Sequence, residues 1–168
     1  RDNIRELPGG EVEWQKVQAA VYGPLINRAV PSPGAAEFLS LCARQRCTVY
    51  VVSHKTEFAS YDETGTNLRQ AALGWIAAQG FLDEEQYGIK PSHIFFEATR
   101  REKLERIGKL GCSYFVDDLE ETFREETFPA QPKKILFSPG AVESSDIDLS
   151  LTGGWDEIGR YVFQVGSR

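Results

Sequence analysis

The sequence contains no apolar run approaching the roughly 20 residues that a bilayer span requires, and its polar N-terminus carries no signal-peptide pattern. Neither a membrane partner nor export is therefore expected, and the cytoplasm is the expected compartment. Positive charge is in deficit. Nineteen Lys and Arg face 25 Asp and Glu, giving a net charge of -6 and a sequence pI of about 5.0. A nucleic-acid binder would show a basic face, so that class is set aside, although a small anion held by a few local cations is not. Cysteine is sparse. Cys42, Cys47 and Cys112 are odd in number and form no Cys-x-x-Cys pair, so neither a disulfide framework nor a zinc site is suggested. They are expected to be buried free thiols in a reducing compartment. Histidine is nearly absent: His54 and His93 have no ligand-spaced partner. Internal repeats and low-complexity tracts are lacking as well.

What remains is ordinary globular composition, 41% hydrophobic and 26% charged over 168 residues, enough for one domain with a real core. Short apolar runs alternate with helical patterns. The first 30 residues read as helical, with Trp14, Val17 and Val21 on one stripe and Gly23-Pro24 as the stop. Ser32-Pro33 opens a second helix with proline at its first position and a stripe of Ala35, Phe38, Leu39 and Cys42. Thr48 to Val52 is a continuous β-branched and aromatic run, the pattern of a strand buried on both faces. A helix follows from about Thr66, its N-cap, to Gln79, with Leu68, Ala72, Trp75 and Ile76 inward and Gly80 as its end.

The second half repeats the scheme. His93 to Phe96 is a short strand. Thr99 to Glu102 is a capping-box pattern that starts a helix bearing Leu104, Ile107 and Leu110 and closed by Gly111. Ser113 to Val116 and Ile135 to Phe137 are strands, and Trp155, Ile158 and Val162 mark a last helix. Apolar strands alternating with helices predict an α/β fold, a parallel sheet covered by helices on both faces. The simplest division is a small helical segment over residues 1–30 and an α/β core over residues 31–168.

Ligands of such sheets bind outside the carboxyl ends of the strands. The residues there are Ser53, Glu97 to Thr99, Asp117-Asp118 and Ser138. Lys103 joins them, because its helix starts at that edge and Cα–Cβ bonds lean toward a helix N-terminus. Paired carboxylates suit a hard divalent cation such as Mg2+. A lysine, the Ser53 hydroxyl and the backbone N–H groups after it, beginning at His54, suit phosphate oxygens.

Three motifs in this order resemble the haloacid-dehalogenase-like (HAD-like) hydrolases over roughly residues 31 to 140. Val49 to Ser53 resembles their second motif, an apolar strand ending in Ser or Thr. Lys103 resembles the third-motif lysine, and Tyr114 to Asp118 the fourth, an apolar strand ending in two acids. The resemblance implies a Rossmann-like fold with a helical cap segment, a magnesium ion, and hydrolysis of a small phosphorylated substrate through an aspartyl-phosphate. Ser53 and His54 would bind the phosphoryl group, Lys103 would steady it, and Asp117 and Asp118 would hold the metal or its water. The family's first motif, a strand ending in Asp-x-Asp-x-Thr whose first Asp is the nucleophile, has no counterpart before Ser53. The expectation is that the chain starts within the cap that follows that motif. Two outcomes stay open: a phosphohydrolase whose nucleophile lies outside these residues, or a non-catalytic HAD-like module that binds a phosphorylated ligand or a partner protein. Asp62-Glu63-Thr64-Gly65-Thr66 looks like the nucleophile motif of P-type ATPases, yet no buried strand precedes it, and a polar loop is expected. A receiver-type signalling domain would place its acids after the first strand and its lysine after the last, the reverse of the order here.

Overall fold

A computed structural model describes residues 2–62, 64–140 and 146–163. The chain runs α1 (Asp2–Arg5), α2 (Gly10–Tyr22), α3 (Ala35–Arg44), β1 (Val51–His54), α4 (Leu68–Ala78), α5 (Glu84–Tyr87), β2 (Ile94–Glu97) and α6 (Arg100–Leu110). It continues through β3 (Tyr114–Asp117), α7 (Glu120–Phe123), β4 (Lys133–Phe137), β5 (Leu151–Gly153) and α8 (Trp155–Phe163). The protein is mixed α/β, and every strand pairing among the described residues is parallel. β1 pairs with β2, Val51 opposite Ile94 and Ser53 opposite Phe96. β4 lies between β3 and β5, with Val116 opposite Ile135 and Ile135 opposite Leu151. These ladders form two small sheets, β1-β2 and β3-β4-β5.

β4 alone is paired on both sides, and it holds the deepest strand residues: Ile135 is 0% exposed. β1 and β3 are equally apolar in sequence but only half-buried over Val51, Val52, Phe115 and Val116. Each has one ladder edge without a strand partner among the described residues. The expectation of burial on both faces is thus met at β4 and not at β1 or β3.

α6 follows its sequence pattern most closely. Thr99 accepts from the Glu102 amide and Glu102 accepts from the Thr99 amide, closing the capping box. Leu104 and Ile107 are buried against the sheet side, and α6 packs on β1 and β2. Gly111 ends the helix at φ 61, a left-handed turn that costs glycine little. The Thr99 hydroxyl and then the Thr99 amide, with a smaller push from the Arg69 charge, hold the Glu102 carboxyl below the usual carboxylate range. A depressed carboxylate pKa adds stability above the ordinary carboxylate range, and that contribution is lost as pH falls through the lowered value. Thr99→Ala is therefore expected to destabilise the protein by about 1 kcal/mol at neutral pH. Urea melts at pH 7 and pH 3 test this, and the difference between variant and wild type should shrink at the lower pH.

Several boundaries depart from the sequence expectation. The first strand is displaced toward Ser53-His54, beginning at Val51 rather than Thr48. The cap of α4 is Asn67, which accepts from the Arg69 and Gln70 amides, not Thr66. α3 begins at Ala35 with Gly34 as its cap at φ 86, where the Trp155 Cβ stands 3.0 Å from the space a side chain would fill. Proline at position 33 thus precedes the helix instead of opening it. On α2 the buried residues are Gly10 and Ala19, while Val17 and Val21 are 43% and 45% exposed. The Val17–Val21 part of the expected stripe is therefore not inward, and α2 packs against α4. Cys42 is buried, which pushes its thiol up to about 12, but Cys47 is exposed, against expectation. No helix among the described residues is long and apolar enough to cross a membrane.

Trp155 ties α8 to α3 and to the end of β4. Its indole N–H donates to the Ser32 hydroxyl at 2.7 Å, and its ring lies 5.0 Å from Phe38 and 4.8 Å from Phe137. This places α8 against α3 as well as β5.

Candidate functional site

α6 brings the carboxyl ends of both sheets together. It begins just after β2 ends, with Thr99 as its cap. From its first turns Lys103 reaches the other sheet, its Nζ donating to Asp117 Oδ2 at the end of β3 at 2.5 Å. Because β1 runs parallel to β2, Ser53 and His54 also lie at this edge. The His54 ring nitrogen Nε2 is 3.1 Å from the Ala98 carbonyl, and the Lys55 amide donates to the Glu97 carbonyl at 2.8 Å.

The Lys103–Asp117 pair is the electrostatic centre of the edge. Its side chains are only 11% and 6% exposed. The Lys103 ammonium also lies 5.5 Å from the Phe115 ring centroid. The second carboxylate oxygen of Asp117 accepts from the Leu119 amide at 2.9 Å, which fixes the turn into α7. Strand alternation turns the neighbouring Asp118 outward, and it is exposed. One buried, anchored acid and one solvent-facing acid therefore sit side by side.

Each carboxylate oxygen has two lone-pair sites, so Asp117 can accept from Lys103 and Leu119 and still ligate a cation. Among the described residues no three His, Cys, Asp or Glu side chains converge as a metal site. A cation here would rest on Asp117, Asp118, waters and substrate oxygens. Magnesium uses such a mode, keeping several waters and taking one or two protein carboxylates; the donor set fits it.

Other edge residues are already engaged. Glu97 is paired with Arg106 at 2.7 Å, and that guanidinium lies 4.5 Å from the Phe95 ring centroid. Asp62 accepts from the Thr64 amide and hydroxyl and from the Thr66 amide. The Thr64 hydroxyl first, then those amides, keep its carboxyl below the usual range. It is the keystone of its own polar loop, which the sequence anticipates. Ser138 donates its amide to the Gly153 carbonyl and lines an open depression of about 690 Å³ whose walls include Glu37, Asp156 and Glu157. That acidic lining suits a phosphate poorly, so Ser138 is not grouped with Ser53 and Lys103.

Two supports of the site lie beyond sequence reasoning. The Phe123 ring, 2% exposed, meets Phe115 and Phe128 at 6.2 and 5.5 Å and anchors α7 below the acidic turn. Arg69 donates from Nε to the Lys55 carbonyl at 2.9 Å and so fixes the segment after Ser53. Pairs 14 residues apart leave no periodic trace in a sequence, and only the high aromatic density from Phe115 to Phe128 hinted at the cluster. Comparison with known protein families, curated proteins and solved structures yields no match.

Proposed function

We propose that the protein is a magnesium-dependent phosphohydrolase of the HAD-like type acting on a small phosphorylated molecule. The buried Lys103–Asp117 pair at the common carboxyl edge carries this reading. A buried ion pair is a poor way to gain stability, since desolvation offsets its attraction. Its position where ligands of parallel sheets bind gives it another purpose.

The two sheets are taken as halves of one Rossmann-like sheet in the order β2-β1 and β3-β4-β5, open at the topological switch point. The half-buried apolar strands β1 and β3 would flank that opening. An apolar strand carrying the Asp-x-Asp acids, from a segment outside these 168 residues, would fill it and set its carboxylates beside Lys103. The helices of residues 1–30 would then act as the cap over this edge.

The chain's own residues divide the remaining work. Ser53 and the main chain at His54 hold the phosphoryl oxygens. Lys103, ion-paired with Asp117, donates to the nucleophilic carboxylate and to the phosphoryl group as negative charge shifts between them. Asp117 and Asp118 supply oxygen ligands for magnesium, which when bound neutralises charge on the phosphoryl oxygens. The overall change is cleavage of a P–O ester bond by water, giving an alcohol and inorganic phosphate.

Protein expressed from its complete open reading frame should hydrolyse p-nitrophenyl phosphate. Activity should be lost with EDTA and restored by added magnesium. Absence of magnesium-dependent turnover would sink the hydrolase reading. It would favour the second one, a HAD-like module that binds a phosphorylated ligand or a partner protein without cleaving anything. That alternative draws on the absence, among the described residues, of three acids that converge as a metal site.

A further inference from the structure

We propose that Lys55 receives a second anionic group of the substrate, so that the small phosphorylated molecule carries a carboxylate or a second phosphate a short distance from the phosphoryl group. This rests on the assignment of Ser53 and Lys103 to the phosphoryl site.

Lys55 continues the β1 ladder, its amide bonded to the Glu97 carbonyl at 2.8 Å. Alternate residues of an extended strand point to the same side, so Lys55 shares a side with Ser53. Two residues of strand separate their Cα atoms by about 7 Å. The segment is clamped from the other direction as well, because Arg69 Nε donates to the Lys55 carbonyl at 2.9 Å. Its ammonium lies 4.3 Å from the centroid of the Tyr22 ring, at the end of α2. It therefore stands where the N-terminal helices meet the carboxyl edge of β1.

The charge balance there is unusual. Lys103 has Asp117 as its counter-ion, and Arg106 has Glu97. Lys55 is half-buried, and among the described residues no carboxylate pairs with it. Burial pushes its ammonium below the usual lysine range. A tyrosine face that is itself 47% exposed offsets only part of the lost hydration. Arg69, at the start of α4, bonds the Lys55 carbonyl, and its own charge acts on the Glu102 carboxylate of α6. A half-buried cation with no carboxylate partner among the described residues, on the same side of the strand as the phosphoryl site, matches a substrate with two anionic ends.

The test uses protein from the complete open reading frame and three probes. Methyl phosphate has one anionic group, phosphoglycolate has a phosphate and a carboxylate, and propane-1,3-diol bisphosphate has two phosphates. Affinity is measured by calorimetry, and KM and kcat wherever turnover occurs. Lys55→Met should weaken at least one two-anion probe by roughly tenfold, the low end for a charge-assisted hydrogen bond at a half-exposed site. The loss should appear in Kd or KM rather than kcat, and methyl phosphate should lose by a smaller factor. Lys55→Arg should recover most of the affinity. The probe that suffers more identifies the second group as carboxylate or phosphate. Equal losses for all three probes, no loss for any, or failure of both two-anion probes to bind would each overturn the assignment. Turnover without discrimination refutes the role of Lys55 and leaves the hydrolase intact. Discrimination in binding without turnover does the reverse.

Discussion

Replacing Lys103 with methionine is expected to cost about 3 to 5 kcal/mol of unfolding free energy. The side chain is of similar length and folds readily in a helix, so α6 itself loses little. The cost arises at Asp117. Its carboxylate is 6% exposed and would lose its cationic partner, bonded at 2.5 Å. The Leu119 amide would remain as a donor, but one amide does not neutralise a buried charge. Urea melts should show the midpoint falling without a change in slope. The double variant Lys103→Met/Asp117→Leu should recover most of the loss, since an apolar pair of similar volume removes the desolvation cost as well as the attraction. A double variant no more stable than Lys103→Met alone would contradict this account of the pair. Under the proposed function, both variants should lose magnesium-dependent turnover by at least about a hundredfold, so stability and activity would separate.

Phe123→Ala is the second large effect, also about 3 to 5 kcal/mol. Phe123 is 2% exposed, and its ring lies among Phe115 and Phe128, which are themselves 5.9 Å apart. Truncation leaves a cavity that its rigid aromatic neighbours cannot fill, and it removes the edge contacts between the rings. α7 spans only four residues, Glu120–Phe123, too few to be stable on its own helical hydrogen bonds. Its position therefore depends on Phe123 and on the buried Thr122. Because α7 directly follows Asp117 and Asp118, amide exchange at Leu119 should rise in Phe123→Ala more than exchange in α4. Phe123→Leu should cost clearly less. An Ala variant within about 1 kcal/mol of wild type would mean that the aromatic cluster is not the anchor.

How far the sequence reached differs among the elements. α6 was legible to within a residue, because its capping box, its Leu104–Ile107 stripe and its terminal Gly111 are all local signals. β4 was visible as an apolar core, Ile135 to Phe137. β5 was not, since Leu151-Thr152-Gly153 has neither an apolar run nor alternation and is a strand only by pairing with β4. α2 shows the other kind of limit. Its periodicity allows more than one apolar face, and packing buried Ala19 while leaving Val17 and Val21 exposed. The start of β1 moved for a similar reason: pairing begins where Val51 meets Ile94.

The candidate site divides along the same line. Local chemistry determined that an acidic pair ends one apolar run, that a serine ends another, and that a lysine enters a capped helix. These follow from propensity, patterning and chain direction, all short-range properties. Tertiary structure alone decided that Asp117 is buried and bonded to Lys103 while Asp118 faces solvent. It also engaged Glu97 with Arg106, left Lys55 without a carboxylate among the described residues, and kept β1 and β3 in separate sheets. Each outcome depends on which surfaces meet and how much water they exclude. Those are long-range properties, because desolvation sets the value of a charge and is fixed only when distant segments pack together.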